Sequence, residues 1–237
     1  MFSNDILWFL WAIGFYAIGL FMYKFFRKEG LYAMIVIDII LCNIQVMKLI
    51  PIFDMTATLG NVMFGNIFWV TGMLAEIYGS KEAKKGVALA VVTLAITVLS
   101  MDITMLFKPA DIDTMHKPIS EIFTFMHRVA LASAVALISS QFYEVWFYIL
   151  LKKKSDGKNL WLRSNFSLML ANVLDTTIFT VGAFGWLYDT KYLLHIALTT
   201  FIMKMLLGIM NTPFLYWGKN IAISTGEYFS SNKSTQA

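Results

Sequence analysis

The chain has 237 residues, 58% hydrophobic and only 14% charged, with a mean hydropathy of +0.66 and a formal net charge of +4. Soluble domains carry about 25% charged residues, so this composition excludes a water-soluble globular domain and places the chain in a lipid bilayer. The modest positive charge sits in short loops between apolar runs, which is a membrane-topology signal and not a nucleic-acid-binding surface.

The N-terminus, MFSNDILWFLW, lacks a basic n-region and a small-residue cleavage site, so it reads as a retained first helix and not as a signal peptide. Seven apolar segments follow one another at about 6–23, 31–50, 59–78, 87–107, 120–151, 164–188 and 192–217. Each reaches or approaches the ~20 residues that a helical span needs. None alternates with period 2, so a closed β-barrel is excluded. The expected fold is all-α: a polytopic helical membrane bundle of about seven transmembrane helices, forming one domain over residues 1–220. The Ser-, Thr- and Gly-rich tail at 221–237 is expected to be disordered. Pro51 ends the second span. The stretch IPIFDMTATLGNVMFGN then reads as an ordinary outer loop with glycines at a helix contact, or as a re-entrant turn. Cys42 is the only cysteine, so no intrachain disulfide forms.

Loop charges alternate. Thirteen Lys and Arg residues fall in one set of loops, around 24–28, 81–85, 152–163 and beyond the last span, whereas the other set holds only Lys108, Lys117 and Lys191. The positive-inside rule puts the first set in the cytoplasm of a cell (plasma or inner) membrane, with the N-terminus outside and the C-terminus inside.

The fifth and sixth segments each carry a carboxamide followed three residues later by a carboxylate: Gln141 with Glu144, and Asn172 with Asp175. That spacing sets amide and acid on one helix face. At ~1.5 Å per residue, Glu144 lies about 12 Å and Gln141 about 16 Å from the basic loop edge, and Asn172 about 13 Å and Asp175 about 18 Å. On antiparallel neighbours the four groups come to similar depth. A single such pair would read as helix–helix glue. Two matched pairs at one depth favour a binding site, and a neutral heterocycle with several N–H donors would suit these acceptors. One acid could instead carry a proton.

Lys204 lies about 20 Å from the opposite edge, too deep to snorkel, and needs Asp175 or Glu144 as counter-charge. It reads equally as half of a structural ion pair or as a substrate contact. Arg128 points about 140–160° away from Gln141 and Glu144 around the helix and lies near the interface, which fits a snorkelling arginine. Asn66 and Thr71 are weaker site candidates in the third span, and Glu76 is expected to cap its helix or pair with Lys81. Asn43 and Gln45 face different ways, so at most one lines a cavity, while Asp38, Lys48 and Asp102 sit nearer the interfaces and receive no role. Phe142, Trp146 and Phe179 flank the polar pairs and could stack on a planar ring, with ordinary packing as the default.

No phosphate-binding loop, zinc-ligand spacing, nucleophile elbow, voltage-sensing arginine ladder or potassium-filter segment occurs. No metal or cofactor is called for. These absences favour a carrier or binding protein over an enzyme or channel. A membrane enzyme using Glu144 and Asp175 as acid and base would lack an accompanying nucleophile or metal.

The segments GNIFWVTGMLAEIYGSKEAKKG, RVALASAVALISSQFYEVWFY, NFSLMLANVLDTTIF and ALTTFIMKMLLGIMNTP, together spanning about 59–217, resemble the bacterial queuosine-precursor transporter family, also called vitamin-uptake-like. The resemblance implies a six-helix core preceded by an additional N-terminal helix. It also implies a non-enzymatic importer of 7-deazaguanines (7-cyano-7-deazaguanine, its 7-aminomethyl form or queuine) that feed tRNA modification. By motif position, Arg128, Gln141, Glu144, Asn172, Asp175 and Lys204 match the family's polar positions. The chain departs from the pattern at Glu144, where the family usually has Asp, and at Thr71-Gly72, where Thr-Asp is common. Both departures bear on which precursor fits. The implied partners are the small-molecule substrate and the lipid bilayer, with no direct nucleic-acid contact. A homo-oligomer stays open. So does the alternative of a substrate-binding subunit that relies on a separate ATPase module, as in energy-coupling-factor systems.

Overall fold

A computed structural model of the chain describes residues 3–53, 55–155, 158–186 and 189–228. Six helices account for nearly all of it: α1 (Asn4–Gln45), α2 (Asn61–Ile77), α3 (Ser80–Met105), α4 (His116–Lys154), α5 (Leu160–Phe184) and α6 (Thr190–Ser224). A short antiparallel hairpin of β1 (Leu49–Ile52) and β2 (Met55–Thr58) separates α1 from α2. The protein is a helical membrane bundle, and every helix but α2 is long and apolar enough to cross a bilayer.

As a straight rod, a 42-residue helix would be about 63 Å long, twice the hydrocarbon thickness. α1 instead breaks at Arg27, whose φ of 51° and ψ of −133° leave the helical region. A Cβ on Gly30 would collide with the carbonyl oxygen of Met22. Residues eight apart in a straight helix lie about 12 Å apart, so the chain folds back on itself here, and only glycine fits the crossing. The two arms of α1 thus supply the first two expected spans, and counting them separately gives seven helical segments among the described residues.

α2 is the hub. Sixteen of its seventeen residues are buried, as expected of a helix that is apolar all round. The other helices form a ring about it in the order α1, α3, α4, α5, α6, closed by α6 against α1. Chain alternation leaves a basic end, holding the α1 break, the α2–α3 turn, the α4–α5 loop and the end of α6. The opposite end carries the hairpin and the α3–α4 and α5–α6 connections.

The stretch expected as an outer loop or re-entrant turn is therefore β-hairpin in its first half and helix in its second. Pro51 is tolerated because a two-stranded ribbon consists only of edge strands. Within the expected tail, α6 continues through Ser224, and Glu227 accepts hydrogen bonds from Tyr23 (2.9 Å) and Tyr78 (2.8 Å). Residues 229–237, the rest of that tail, lie outside the described residues.

Candidate functional site

A cavity of about 30 Å³ opens inside the hairpin half of the bundle, where the second arm of α1, β2, α2, α4, α5 and α6 converge. Its polar lining includes Asn43, Asn61, Ser133, Thr200, Asp175 and Lys204, and its aromatic lining is Phe64 and Phe179. That volume suits a water or two. A bicyclic ligand needs the surrounding helices to move apart, as carriers do around a fixed site.

The chamber centres on an ion pair between Lys204 of α6 and Asp175 of α5, both buried. Ser140 of α4 donates to the other carboxylate oxygen at 3.2 Å, and the ammonium lies 3.9 Å from the centre of the Phe64 ring. Of the two acids considered as counter-charge for Lys204, the structure selects Asp175. The pair therefore joins three helices at one point, with an aromatic face beside it.

One turn toward the basic end, the character changes. Gln141, Glu144 and Asn172 are buried between α4 and α5 but do not line the cavity. Both amide atoms of Gln141, both of Asn172 and Glu144 Oε2 have no protein partner, nor do the hydroxyls of Thr176 and Thr180. Leaving one such group unsatisfied costs about 1–3 kcal/mol, and buried orphans on this scale point to polar ligands or bridging water. Glue would have paired these groups with each other. The two amide-acid motifs share one seam, then, but only Asp175 faces the chamber.

The remaining candidates scatter. Asn66 donates to Asp38 Oδ2 at 2.7 Å. The Thr71 hydroxyl returns to its own helix, donating to the carbonyls of Ile67 (2.9 Å) and Phe68 (3.1 Å). Arg128 is exposed and stacks its guanidinium 4.1 Å above Trp186, outside the chamber lining. Phe142 and Trp146, 38% and 57% exposed, point away from the seam, and Trp146 packs against Tyr143 and Phe147. Phe179 does line the chamber, braced edge-on by Phe184. Glu76 does not pair with Lys81. It is buried among Lys152, Arg163 and Lys219.

Sequence reasoning missed several residues. Asp38 is fully buried behind the chamber and was passed over as interfacial. Asn61 lay in an expected loop. Ser133 and Ser140, seven apart, share the α4 face that carries Gln141 and Glu144, so their helical spacing was a usable signal.

A ring of membrane-length helices around a buried hub, with a charged chamber halfway along, is the architecture of a multi-pass carrier of small molecules. Residues 58–218 match the family model described as "Putative vitamin uptake transporter". The chain belongs to this family of membrane transporters. It is 39% identical over 223 residues to a Bacillus subtilis (strain 168) protein named "Probable queuosine precursor transporter", covering 93% of this chain and 96% of that relative. A Haemophilus influenzae protein of the same name is 24% identical over 161 residues, 67% of this chain and 66% of the relative. No solved structure matches.

Proposed function

We propose that this protein imports queuosine precursors, 7-deazaguanines such as 7-cyano-7-deazaguanine, its 7-aminomethyl form or queuine. The observation that carries the reading is the near full-length similarity to a relative named for that cargo. The chamber's chemistry agrees with it. A guanine-like edge offers N–H donors to Asp175 and to the orphaned amide oxygens of Gln141 and Asn172, while its carbonyl suits the Lys204 ammonium. Phe64 and Phe179 offer faces for a flat ring. Arg128, Asn66 and Thr71 act around this site through structure, and Glu144 enters it only as the seam opens.

The bias of basic loops orients the protein in the cell membrane with its basic end in the cytoplasm, so precursor enters from the hairpin side. The test is complementation. A strain unable to make or import queuosine precursors, and lacking any energy-coupling-factor module, expresses this chain and receives each 7-deazaguanine in turn. The expected result is restored queuosine in tRNA with at least one precursor. No restoration with any of them, in cells whose membranes contain the protein, overturns the proposal. Restoration only after an energising ATPase module is co-expressed would make the chain a binding subunit instead of a solitary carrier.

A further inference from the structure

One carboxylate at the basic end is shared by all the helices that enclose the polar seam. Glu76, in the last turn of α2, is 0% exposed. Its Oε1 accepts from Arg163 Nη2 of α5 at 2.6 Å, Lys219 Nζ of α6 at 2.8 Å and the Tyr228 hydroxyl at 2.9 Å. Its Oε2 accepts from the Tyr148 hydroxyl of α4 at 3.0 Å and lies 3.2 Å from Lys152 Nζ, which also donates to the Glu76 carbonyl at 2.7 Å. Three cations thus converge on one acid. Take the acid away and they repel one another in a site largely shielded from water.

This cluster ends a continuous line of buried polar groups. From the chamber, α4 and α5 present Ser140 and Asp175, then Gln141 and Asn172, then Glu144, then Tyr148 and Arg163. At about 1.5 Å per residue the line runs about 12 Å along α4, from Ser140 to Tyr148, and about 18 Å along α5, from Asp175 to Arg163. The hairpin end of the same line is different: beyond the Asp175–Lys204 pair, the described polar residues lining the chamber are uncharged, and the Asp102–His127 pair that joins α3 to α4 at that end lies outside the chamber lining and is half-exposed. One end is latched by a buried charge cluster shared among four helices, whereas the polar links at the other, Asn4 to the Pro51 carbonyl, the Phe53 amide to Asp5 and His127 to Asp102, are exposed and lie outside the chamber.

We propose that Glu76 is the gate residue of the basic end: its carboxylate latches α4, α5 and α6 onto α2, and releasing it opens the seam there while the chamber closes on the hairpin side. The inference rests on the carrier reading of the fold and not on the identity of the cargo. Buried ion clusters suit such a role because breaking them leaves charges unpaired in a site shielded from water, while re-forming them restores one defined arrangement.

Thiol accessibility in purified protein without substrate tests this separately from the cargo. In a Cys42→Ala background, single cysteines are placed at Ser133, which lines the chamber, and at Ser167, which is buried between Asn172 and Arg163. A charged methanethiosulfonate reagent reports the modification rate at each. Adding Glu76→Gln is expected to raise the rate at Ser167→Cys about tenfold or more and to lower it at Ser133→Cys, as a shift between two discrete states requires. A rise at both positions would mean that Glu76 only holds the bundle together, and continued protection at Ser167→Cys would mean that it closes nothing. Either overturns the proposal. If Glu76→Gln does not give monodisperse protein, Lys219→Gln with Tyr228→Phe strips α6 from the carboxylate, and the same reciprocal pattern decides.

Discussion

Asp175 and Lys204, 29 residues apart in the chain, form an ion pair across the α5–α6 interface with each residue at most 5% exposed. The partners are buried together, so each protects the other from the cost of an isolated charge. Removing one member of such a pair costs about 3–5 kcal/mol. Asp175→Asn and Lys204→Gln are each expected to lower the unfolding temperature in detergent clearly, with the double variant losing much less than the sum. A double-mutant cycle reads the coupling directly. Additive losses would show that the two groups do not stabilise one another.

The orphaned carboxamides make the opposite prediction. Asn172→Leu and Gln141→Met replace unsatisfied buried groups with apolar ones of similar size, so they relieve a desolvation cost of about 1–3 kcal/mol each. Unfolding temperature is expected to hold or rise while uptake of labelled 7-deazaguanine falls by at least about tenfold, the trade-off common to functional sites. Strong destabilisation would return these amides to the role of helix–helix glue.

The aromatics divide by placement. Phe179→Ala removes a wall of the chamber and is expected to raise the KM for uptake several-fold, whereas Phe142→Ala and Trp146→Ala, on the exposed face of α4, leave it within about twofold, since neither side chain lines the chamber. Equal losses at all three positions would mean that the exposed face of α4 also shapes the site.

How far the sequence could be read follows from range. The spans were legible because each is a run of local apolar character, and the α1 turn was marked by Lys24, Arg27, Lys28 and Gly30 between two such runs. Depth counting brought Asp175, Glu144 and Lys204 within reach of one another. It could not choose between the acids, because helix rotation and tilt, set by packing, decide which faces Lys204. Phe142 and Trp146 illustrate the same limit: they adjoin the motif in sequence, but successive residues turn 100° about a helix, so neighbours of a polar face point elsewhere. The expectation for Glu76, a helix cap or a pair with Lys81, reaches only near neighbours because only local partners are visible in a sequence. Its actual partners Lys152, Arg163 and Lys219 lie 76, 87 and 143 residues away.

The fold-back of α1 yields a last prediction, independent of cargo and gate. Gly30 crosses the Met22 carbonyl so closely that a methyl group would overlap a backbone oxygen and also approach Phe26 Cβ at 3.0 Å. Backbone cannot move aside as a flexible side-chain tip can, so the arms must separate. Gly30→Ala is expected to cost about 1–3 kcal/mol through overpacking. Gly14, in the first arm of the same helix, has nothing within 4 Å of its would-be Cβ. Gly14→Ala is therefore expected to be neutral or to stabilise by about 0.5–1 kcal/mol through helix propensity. Thermal unfolding of the two variants side by side checks both signs, and a harmless Gly30→Ala would mean that the two arms do not pack as closely as the fold-back requires.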